Sequence, residues 1–310
     1  MRKTASGIPS KHPQSLLLGN GINLLFKDPS WEKLIKDELN HFKNPVTYDD
    51  IKSMPATMQI VVATNDAVAD RMKVLSDKLA AQNMTQERVA FLQKVLALPM
   101  DDILTANYSF ELEIAGGMKQ SKRQYSARLQ DTFDLQAKHK AFRLYQFYET
   151  SMGKRRWHIH GDIAKPDTML MGHYYYAKQL KAIQDCAAKT VRRYIICQRQ
   201  GEEFYSYSWV DQFLTGDVYI LGLGMYLCES DLWYLLCCKK RNFPNTSIFF
   251  YDKECSDKTI NTMLNVYGVK VIDQQALRVS GEYLDFYEAS IADIKNRMLS
   301  SLSQENKAEG

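Results

Sequence analysis

Short runs of apolar residues recur along the chain and alternate with longer amphipathic segments. Most runs are four or five residues long and are bounded by glycine, asparagine, proline or other turn residues. This pattern is typical of buried strands in a parallel sheet. The predicted strands lie at residues 15–18, 102–105, 156–159, 217–221, 247–251 and 269–272.

The intervening segments have apolar residues at the three- and four-residue spacing of amphipathic helices. Ser30 stands directly before one such segment and is placed to cap a helix that begins at Trp31. Residues 55–98 predict a helical hairpin with a break near Asn83. Further helices are predicted to end before residue 201, to begin near residue 232 and to close the chain at 280–302.

Strands that alternate with helices predict an α/β fold, a Rossmann-like parallel sheet with helices on both of its faces. We expect one domain over residues 15–303, with helical insertions at about 55–98 and 118–150. A polar leader is expected at 1–14 and a polar tail at 304–310.

The composition is that of a globular protein, since 45% of the 310 residues are hydrophobic and 25% are charged. These values exclude a disordered or fibrous chain. The longest apolar run, residues 218–228, has eleven residues, whereas a membrane-spanning helix needs about 20. Because the first residues also lack an apolar secretory stretch, we expect a cytoplasmic protein that does not enter a membrane.

Six cysteines occur without C-x-x-C spacing, and the six histidines do not pair with them at the spacing of metal ligands. In a cytoplasmic protein this pattern predicts reduced thiols. The sequence therefore predicts neither a disulfide framework nor a metal site.

Four of the predicted strands end in residues suited to a ligand. Ligands of open parallel sheets bind at the carboxyl ends of the strands, and glycines there allow a pyrophosphate to approach the backbone closely. The four endings are Gly19-Asn20-Gly21, Thr105-Ala106-Asn107, His160-Gly161 and Gly222-Leu223-Gly224. Neither glycine pair completes the G-x-G-x-x-G pattern, because Leu24 and Leu227 stand where the third glycine would be. The prediction of a ligand site therefore depends on the four endings together.

The ordered set of motifs around these endings resembles sirtuin-like domains. The resemblance covers about residues 15–275 and is greatest to the bacterial branch, whose members are often NAD-hydrolysing effectors of antiphage defence. The motifs that carry it are Leu17-Leu18-Gly19-Asn20-Gly21-Ile22-Asn23, Thr105-Ala106-Asn107-Tyr108, Ile159-His160-Gly161-Asp162 with Met171-Gly172-His173-Tyr174, and Leu221-Gly222-Leu223-Gly224 with Ser230-Asp231.

The resemblance implies NAD+ as the substrate and assigns roles to individual residues. Asn107 would lie beside the nicotinamide ribose and the attacking group, and His160 would be the acid/base residue at that ribose. The implied NAD+-binding residues are Gly19, Asn20 and Gly21 at the pyrophosphate, Asn23 and Thr105 in the same motifs, and Gly222 and Gly224 from the later strand.

The chain departs from the protein deacylases of this family at several positions. Those enzymes carry a four-cysteine zinc module after the His-Gly motif, whereas that stretch here holds only Cys186 and Cys197, on a predicted continuous helix. Ala106 stands in place of a glutamine, and Ser109 in place of an aspartate that helps to hold nicotinamide. These differences weigh against a deacylase.

Several nearby polar residues have competing interpretations. Asp231 belongs to the motif set, but we favour a helix N-cap for it. Asp252 follows a predicted strand and could accept hydrogen bonds from the adenosine ribose. Of the two neighbouring histidines we expect His160 to face the ligand, because Gly161 leaves room there, and His158 to pack elsewhere. His173 could line the entrance, although a packed helix start is equally compatible with the sequence.

The residue types suit the cleavage of NAD+ independently of the family. The bond between nicotinamide and ribose breaks through an oxocarbenium-like ribose, as in glycoside hydrolysis. Nicotinamide leaves without a general acid because it is already a cationic leaving group. The site then needs an orienting amide, for which Asn107 is suited, and a base that works near neutral pH, for which His160 is suited.

Residues 118–156 form a basic stretch with ten Lys/Arg against three Asp/Glu, interleaved with aromatic residues. A nucleic-acid patch or a docking face for an acidic partner is one interpretation. We favour a solvated helical insertion, since residues 142, 145 and 148 are aromatic at helical spacing.

The leading hypothesis is therefore an NAD+ glycohydrolase that yields nicotinamide and ADP-ribose, acting as an NAD+-depleting effector in antiphage defence. The alternatives are an NAD-dependent protein deacylase and a non-catalytic module that binds NAD+ or ADP-ribose. We also expect regulation by homo-oligomerisation or by a partner protein, through the insertion at about 55–98 or the final helix.

Overall fold

A mostly parallel β-sheet of eight strands organises the protein. The computed structural model describes residues 13–26, 30–80, 83–100, 102–117, 123–125, 142–149 and 154–308. The strands are β1 (Gln14–Leu18), β2 (Asp102–Thr105), β3 (Arg123–Tyr125), β4 (Gln146–Glu149), β5 (Arg155–His158), β6 (Asp217–Leu221), β7 (Ile248–Tyr251) and β8 (Lys270–Ile272).

The strand order in the sheet is β3-β4-β5-β2-β1-β6-β7-β8. Strands β5, β2, β1, β6, β7 and β8 run parallel, and β3 and β4 add an antiparallel edge. The chain passes from β1 outward to β2 and β5, and then crosses to β6 on the other side of β1. The order of the six parallel strands is that of the dinucleotide-binding α/β fold, and its switch point lies between β1 and β6.

Helices cover both faces of this sheet, as predicted. They are α1 (Gly21–Leu24), α2 (Trp31–His41), α3 (Tyr48–Ile51), α4 (Ala56–Ala63), α5 (Val68–Ala80), α6 (Gln86–Leu96), α7 (Glu111–Ala115), α8 (Phe142–Tyr145), α9 (His173–Gln200), α10 (Trp209–Thr215), α11 (Ser230–Asn242), α12 (Lys258–Val266) and α13 (Tyr283–Ala308).

Successive strand residues enter opposite cores because side chains alternate across a strand. Leu17 of β1 and Ile220 of β6 pack with α9, α10 and α11 on one face. Leu16 of β1 and Tyr219 of β6 pack with α6 and α13 on the other face. Residues 16–18 of β1 and 218–221 of β6 are therefore apolar without a break, which made these two strands visible in the sequence.

The insertion at 55–98 contains three helices, so the predicted hairpin is wrong. An additional break separates α4 from α5, where Asn65 and Asp66 have left-handed φ angles of 49° and 62°. The side-chain amide of Asn44 donates to the carbonyl oxygen of Val62 and to Asn65 Oδ1, and so stabilises this turn. Residues of α2, α4 and α5 form a third apolar cluster beside the sheet.

The predicted helical insertion at 118–150 is also wrong for most of its described residues. Strands β3 and β4 pair antiparallel with each other, and β4 pairs with β5. The side chains of Phe147 and Tyr148 have different surroundings, as successive residues of a strand do. The ring centroids of Phe147 and Trp157 are 4.9 Å apart, whereas the Tyr148 hydroxyl donates to Asp162. Residues 118–122 and 126–141 lie outside the described part.

Three cations of the basic stretch are buried in the protein and do not form a surface. The Lys154 ammonium donates to the carbonyl oxygens of Leu96 and Leu98, and Arg155 pairs with Asp102. Arg156, also buried, lies 4.0 Å from Glu113. These three residues are therefore not available to nucleic acid.

The terminal segments differ slightly from the prediction. Gln14, predicted in the leader, is the first residue of β1, and residues 1–12 lie outside the described part. Helix α13 runs to Ala308, into the predicted polar tail. Ser30 accepts from the Lys33 N–H, which confirms it as the N-cap of α2. Within the described residues, none of the helices has the length and apolar character needed to cross a bilayer.

Candidate functional site

The four predicted strand endings lie side by side at one edge of the sheet. They follow β5, β2, β1 and β6, which are neighbours in that order. The pairings Leu18–Thr105, Leu18–Leu221 and Thr105–His158 place the ends of these strands level with one another. The prediction that the four endings converge is confirmed.

The glycines after β1 serve a close contact between two loops. The Gly19 N–H donates to the carbonyl oxygen of Leu221 (3.0 Å) and the Gly21 N–H to that of Gly222 (2.7 Å). A Cβ atom on Gly19 would lie 2.3 Å from the Gly222 oxygen, and one on Gly21 would lie 2.6 Å from the Tyr287 hydroxyl. The glycines are therefore required by the protein itself, a reason that the sequence did not show.

We expect Gly19→Ala to destabilise the protein by about 3 kcal/mol, because the added Cβ would overlap backbone atoms that cannot rotate away. Thermal unfolding followed by circular dichroism measures this loss. Gly201→Ala is the matched control: its Cβ meets nothing within 4 Å, and the left-handed φ of 67° is its main strain, which costs about 1 kcal/mol. Equal melting temperatures for the two variants would contradict the predicted overlap.

A buried hydrogen-bond network surrounds Asn107. Its Nδ2 donates to Glu111 Oε1 (2.8 Å) and to the Gly19 carbonyl oxygen (3.3 Å). Glu111 Oε1 also accepts from Asn23 Nδ2 (3.3 Å), and Oε2 accepts from the Ser109 hydroxyl (2.5 Å). Glu111 thus links the end of β2 to the loop after β1. Sequence reasoning missed this residue, although an Asn four positions before a Glu at the start of a helix was a usable signal.

Two predicted NAD+-binding residues lie within this network. Asn23 Nδ2 donates to Asn20 Oδ1 (3.1 Å), and Asn23 Oδ1 accepts from the Arg88 guanidinium (2.9 Å). Thr105 Oγ1 accepts from the Asn107 N–H (3.1 Å). Asn23 and Thr105 are buried, whereas Asn20 is exposed. In this structure the two buried residues orient the loop and Asn107.

His160 lies at the centre of a second buried cluster. Its Nε2 is 3.1 Å from Asp231 Oδ2 and 3.9 Å from Glu229 Oε2, and its side chain is 3% exposed. The Tyr176 ring contacts the imidazole edge-on, with centroids 5.3 Å apart, and its hydroxyl donates to Glu229 (3.3 Å). The cluster therefore combines groups from the end of β5, from α9 and from the start of α11.

The favoured interpretation of Asp231 as an N-cap is wrong. Glu229 holds the cap position, and Asp231 lies in the first turn of α11, fully buried. Its Oδ1 accepts from the Leu232 N–H (2.9 Å), and its Oδ2 faces His160. The sequence could not show this pair, because its members are 71 positions apart.

The environment of Glu229 raises its pKa. Burial raises the pKa of Glu229, and the adjacent Asp231 raises it further, whereas His160 opposes the shift. The ligand atoms of His160, Glu229 and Asp231 lie within 4.8 Å of one another, so these side chains could also hold a divalent cation. Chemically, the cluster is suited to accept, hold or relay a proton.

His158 and His160 have different partners. Residues two apart share a face of a regular strand, but β5 ends at His158 and the chain then turns through Gly161, which has a φ of 89°. His158 Nδ1 lies 2.9 Å from the Asn107 carbonyl oxygen, and Nε2 lies 3.4 Å from Glu113. Burial lowers the pKa of His158, but Glu113 more than compensates and raises it to about 9. His158 is therefore a structural cation.

The space beside Gly161 is filled by protein. A Cβ atom there would lie 2.1 Å from the carbonyl oxygen of Thr168, so the expectation that Gly161 leaves room for a ligand is wrong. His173 is exposed at the first position of α9. Asp252 follows β7 and is half-buried, and burial raises its pKa.

The two cysteines in the stretch that holds the zinc module of the deacylases lie on one helix. Cys186 and Cys197 lie on the continuous helix α9, and all six cysteines are free. No model of a known protein family matches the sequence, and the comparison with curated proteins found no match. Function must therefore be argued from the geometry.

Proposed function

We propose that the protein is an NAD+ glycohydrolase with a sirtuin-like fold. The observation that carries the proposal is the sheet: its six parallel strands have the dinucleotide-binding order, and Asn107 and His160 follow neighbouring strands at its carboxyl edge. An amide and an imidazole in an α/β site are suited to cleavage of a ribosyl bond.

In the proposed reaction, the bond between the nicotinamide nitrogen and the ribose anomeric carbon breaks. Its electron pair goes to the cationic ring nitrogen, so nicotinamide leaves as a neutral molecule. The oxygen of a water molecule bonds to the anomeric carbon, and its proton goes to His160. The products are nicotinamide and ADP-ribose.

The contacts of Asn107 support its orienting role. Because Nδ2 is bound by Glu111 and the Gly19 carbonyl oxygen, the direction of Oδ1 is fixed. Oδ1 is the atom that can accept a hydrogen bond from a ribose hydroxyl or from the attacking water. The network thus holds the amide in place before substrate binds, which is the usual source of catalytic precision.

The replacement of the family aspartate by Ser109 is compatible with this role. The Ser109 hydroxyl donates to Glu111, whose carboxylate also holds Asn107. Glu111, two residues after Ser109, therefore supplies a carboxylate beside the Asn107 amide.

The edge fits a dinucleotide in part. The N–H groups of Gly19 and Gly21 already have protein partners, so other groups would have to bind the pyrophosphate. Tyr226 and Leu227, in the loop after β6, are 66% and 61% exposed and offer an apolar surface for a base. Asn20, in the loop after β1, is also exposed. That loop contacts the loop after β6 at the switch point.

The test is turnover of NAD+ by the purified protein, with nicotinamide and ADP-ribose quantified by chromatography. We expect equimolar products, no acyl transfer from an added acyl-lysine peptide, and the same rate with EDTA, since the leaving group needs no Lewis acid. Calorimetric binding of NAD+ without turnover would favour a binding module, and neither binding nor turnover would contradict the NAD+ assignment.

The proposed biological context is NAD+ depletion in antiphage defence. A hydrolase that depletes NAD+ must be restrained, and we propose restraint by self-assembly or by a partner protein. Met54 and Met58 on the 55–98 side and Tyr283 and Leu299 on α13 are exposed apolar residues that such contacts could cover. Oligomeric state measured together with activity tests this proposal.

A further inference from the structure

Asp231 is placed to decide which nitrogen of His160 carries a proton. Its carboxylate is fully buried, its Oδ2 lies 3.1 Å from His160 Nε2, and its Oδ1 accepts from the Leu232 N–H. The second bond fixes the orientation of the carboxylate, since the N–H belongs to the rigid first turn of α11.

We propose that Asp231 is a positioning residue that holds His160 in the tautomer with the proton on Nε2. The Asp231 carboxylate accepts from the Leu232 N–H through Oδ1, and its Oδ2 is placed to accept from the nitrogen that faces it, so that nitrogen is the donor. Nδ1 is then the basic nitrogen of the ring and takes the proton from the attacking water. The imidazolium so formed is stabilised by the adjacent Asp231 charge.

Two other groups of the cluster are consistent with this assignment. Glu229 is farther away, 3.9 Å from Nε2, and accepts from the Tyr176 hydroxyl. The Tyr176 ring packs against the imidazole and restricts its rotation. Asp231 is thus nearer to Nε2 than Glu229 is, and its proposed role depends on the proposed function only for the identity of the proton donor.

The structure predicts that Asp231→Asn reverses the tautomer. The Asn Oδ1 would keep the bond from the Leu232 N–H, which places its Nδ2 where Oδ2 stood. This NH2 group would donate to His160 Nε2, so the imidazole proton would move to Nδ1. The basic nitrogen would then face the wrong way.

The decisive measurement is long-range 1H–15N NMR of the full chain with 15N-labelled histidine, in which His160 is assigned by its disappearance in His160→Gln. We expect the Nε2–H tautomer in the wild type and the Nδ1–H tautomer in Asp231→Asn. A wild-type Nδ1–H tautomer, or an unchanged ring in the variant, would overturn the proposal. The wild-type spectrum alone gives this result if the variant does not fold.

Kinetics supply the second readout. We expect Asp231→Asn to lower kcat for NAD+ by at least about tenfold with little change in KM, because the base is disabled while binding is kept. Glu38→Gln is the matched control, a buried carboxylate paired with Arg71 in the helical insertion. If the variant keeps the wild-type kcat, Asp231 is not a positioning residue. If the wild type itself cleaves no NAD+, the proposed function fails, whereas the NMR result still decides the tautomer.

Discussion

Replacement of His160 by alanine is expected to lower kcat for NAD+ cleavage by about 100-fold to 10,000-fold. His160 is the imidazole at the carboxyl edge whose partners, Asp231 and Glu229, are suited to hold it ready to accept a proton. His158, two positions earlier, is bound to Glu113 and to the Asn107 backbone and cannot replace it. The variant would therefore have no imidazole that could act as the base in place of His160.

This result has to be separated from a loss of folding, because the side chain of His160 is buried. NAD+ affinity by calorimetry and the melting temperature should be measured beside turnover. His41→Ala, on helix α2 away from the sheet edge, serves as the control for an imidazole lost elsewhere. A His160→Ala protein that binds NAD+ and cleaves it within tenfold of the wild-type rate would contradict the assigned base.

The sheet was predictable from the sequence because its central strands are buried on both faces. Strand β6, at 217–221, and strand β2, at 102–105, were located to the residue, because each holds a short apolar run, 218–221 in β6 and 103–104 in β2, and a turn follows. The antiparallel edge was not predicted. The aromatic spacing at 142, 145 and 148 predicts a helix that includes Tyr148, whereas the pairing of Tyr148 with β5 shows a strand.

The candidate site was predictable only as a set of strand endings. Asn107 and His160 were found because they follow strands, a local feature. Asp231 was interpreted as a helix N-cap and Glu111 was not found, because what matters about both is a contact across the fold. Asp231 meets His160 only after β6 crosses to the far side of β1, and Glu111 meets Asn23 only when β2 pairs with β1.

The same contrast applies to the glycines. The sequence shows that residues 19 and 21 are glycine and that a strand precedes them, which suggests a phosphate loop. The structure shows that their missing side chains let the loop after β6 and the Tyr287 hydroxyl approach. A glycine pattern of this kind can therefore arise from contact between two protein loops, and ligand binding must be supported by other groups.

Replacement of Asn107 by alanine is the second large effect that we expect, a loss of about 100-fold or more in kcat, because the amide would no longer orient the attacking water or the ribose. The variant also removes the two hydrogen bonds that Asn107 Nδ2 donates to Glu111 and to the Gly19 carbonyl oxygen. It should therefore lower the free energy of unfolding by about 1 to 3 kcal/mol.

Ser109→Ala separates the two effects of Asn107→Ala. It removes one hydrogen bond from the same Glu111 carboxylate and leaves the Asn107 amide in place. We expect a comparable loss of stability, measured by chemical denaturation, with less than about a tenfold fall in kcat. If Ser109→Ala reduces turnover as much as Asn107→Ala does, Asn107 acts through the integrity of the network and not through its amide. If only Asn107→Ala does so, the amide itself participates in the reaction, because both variants loosen Glu111 but only one removes Oδ1.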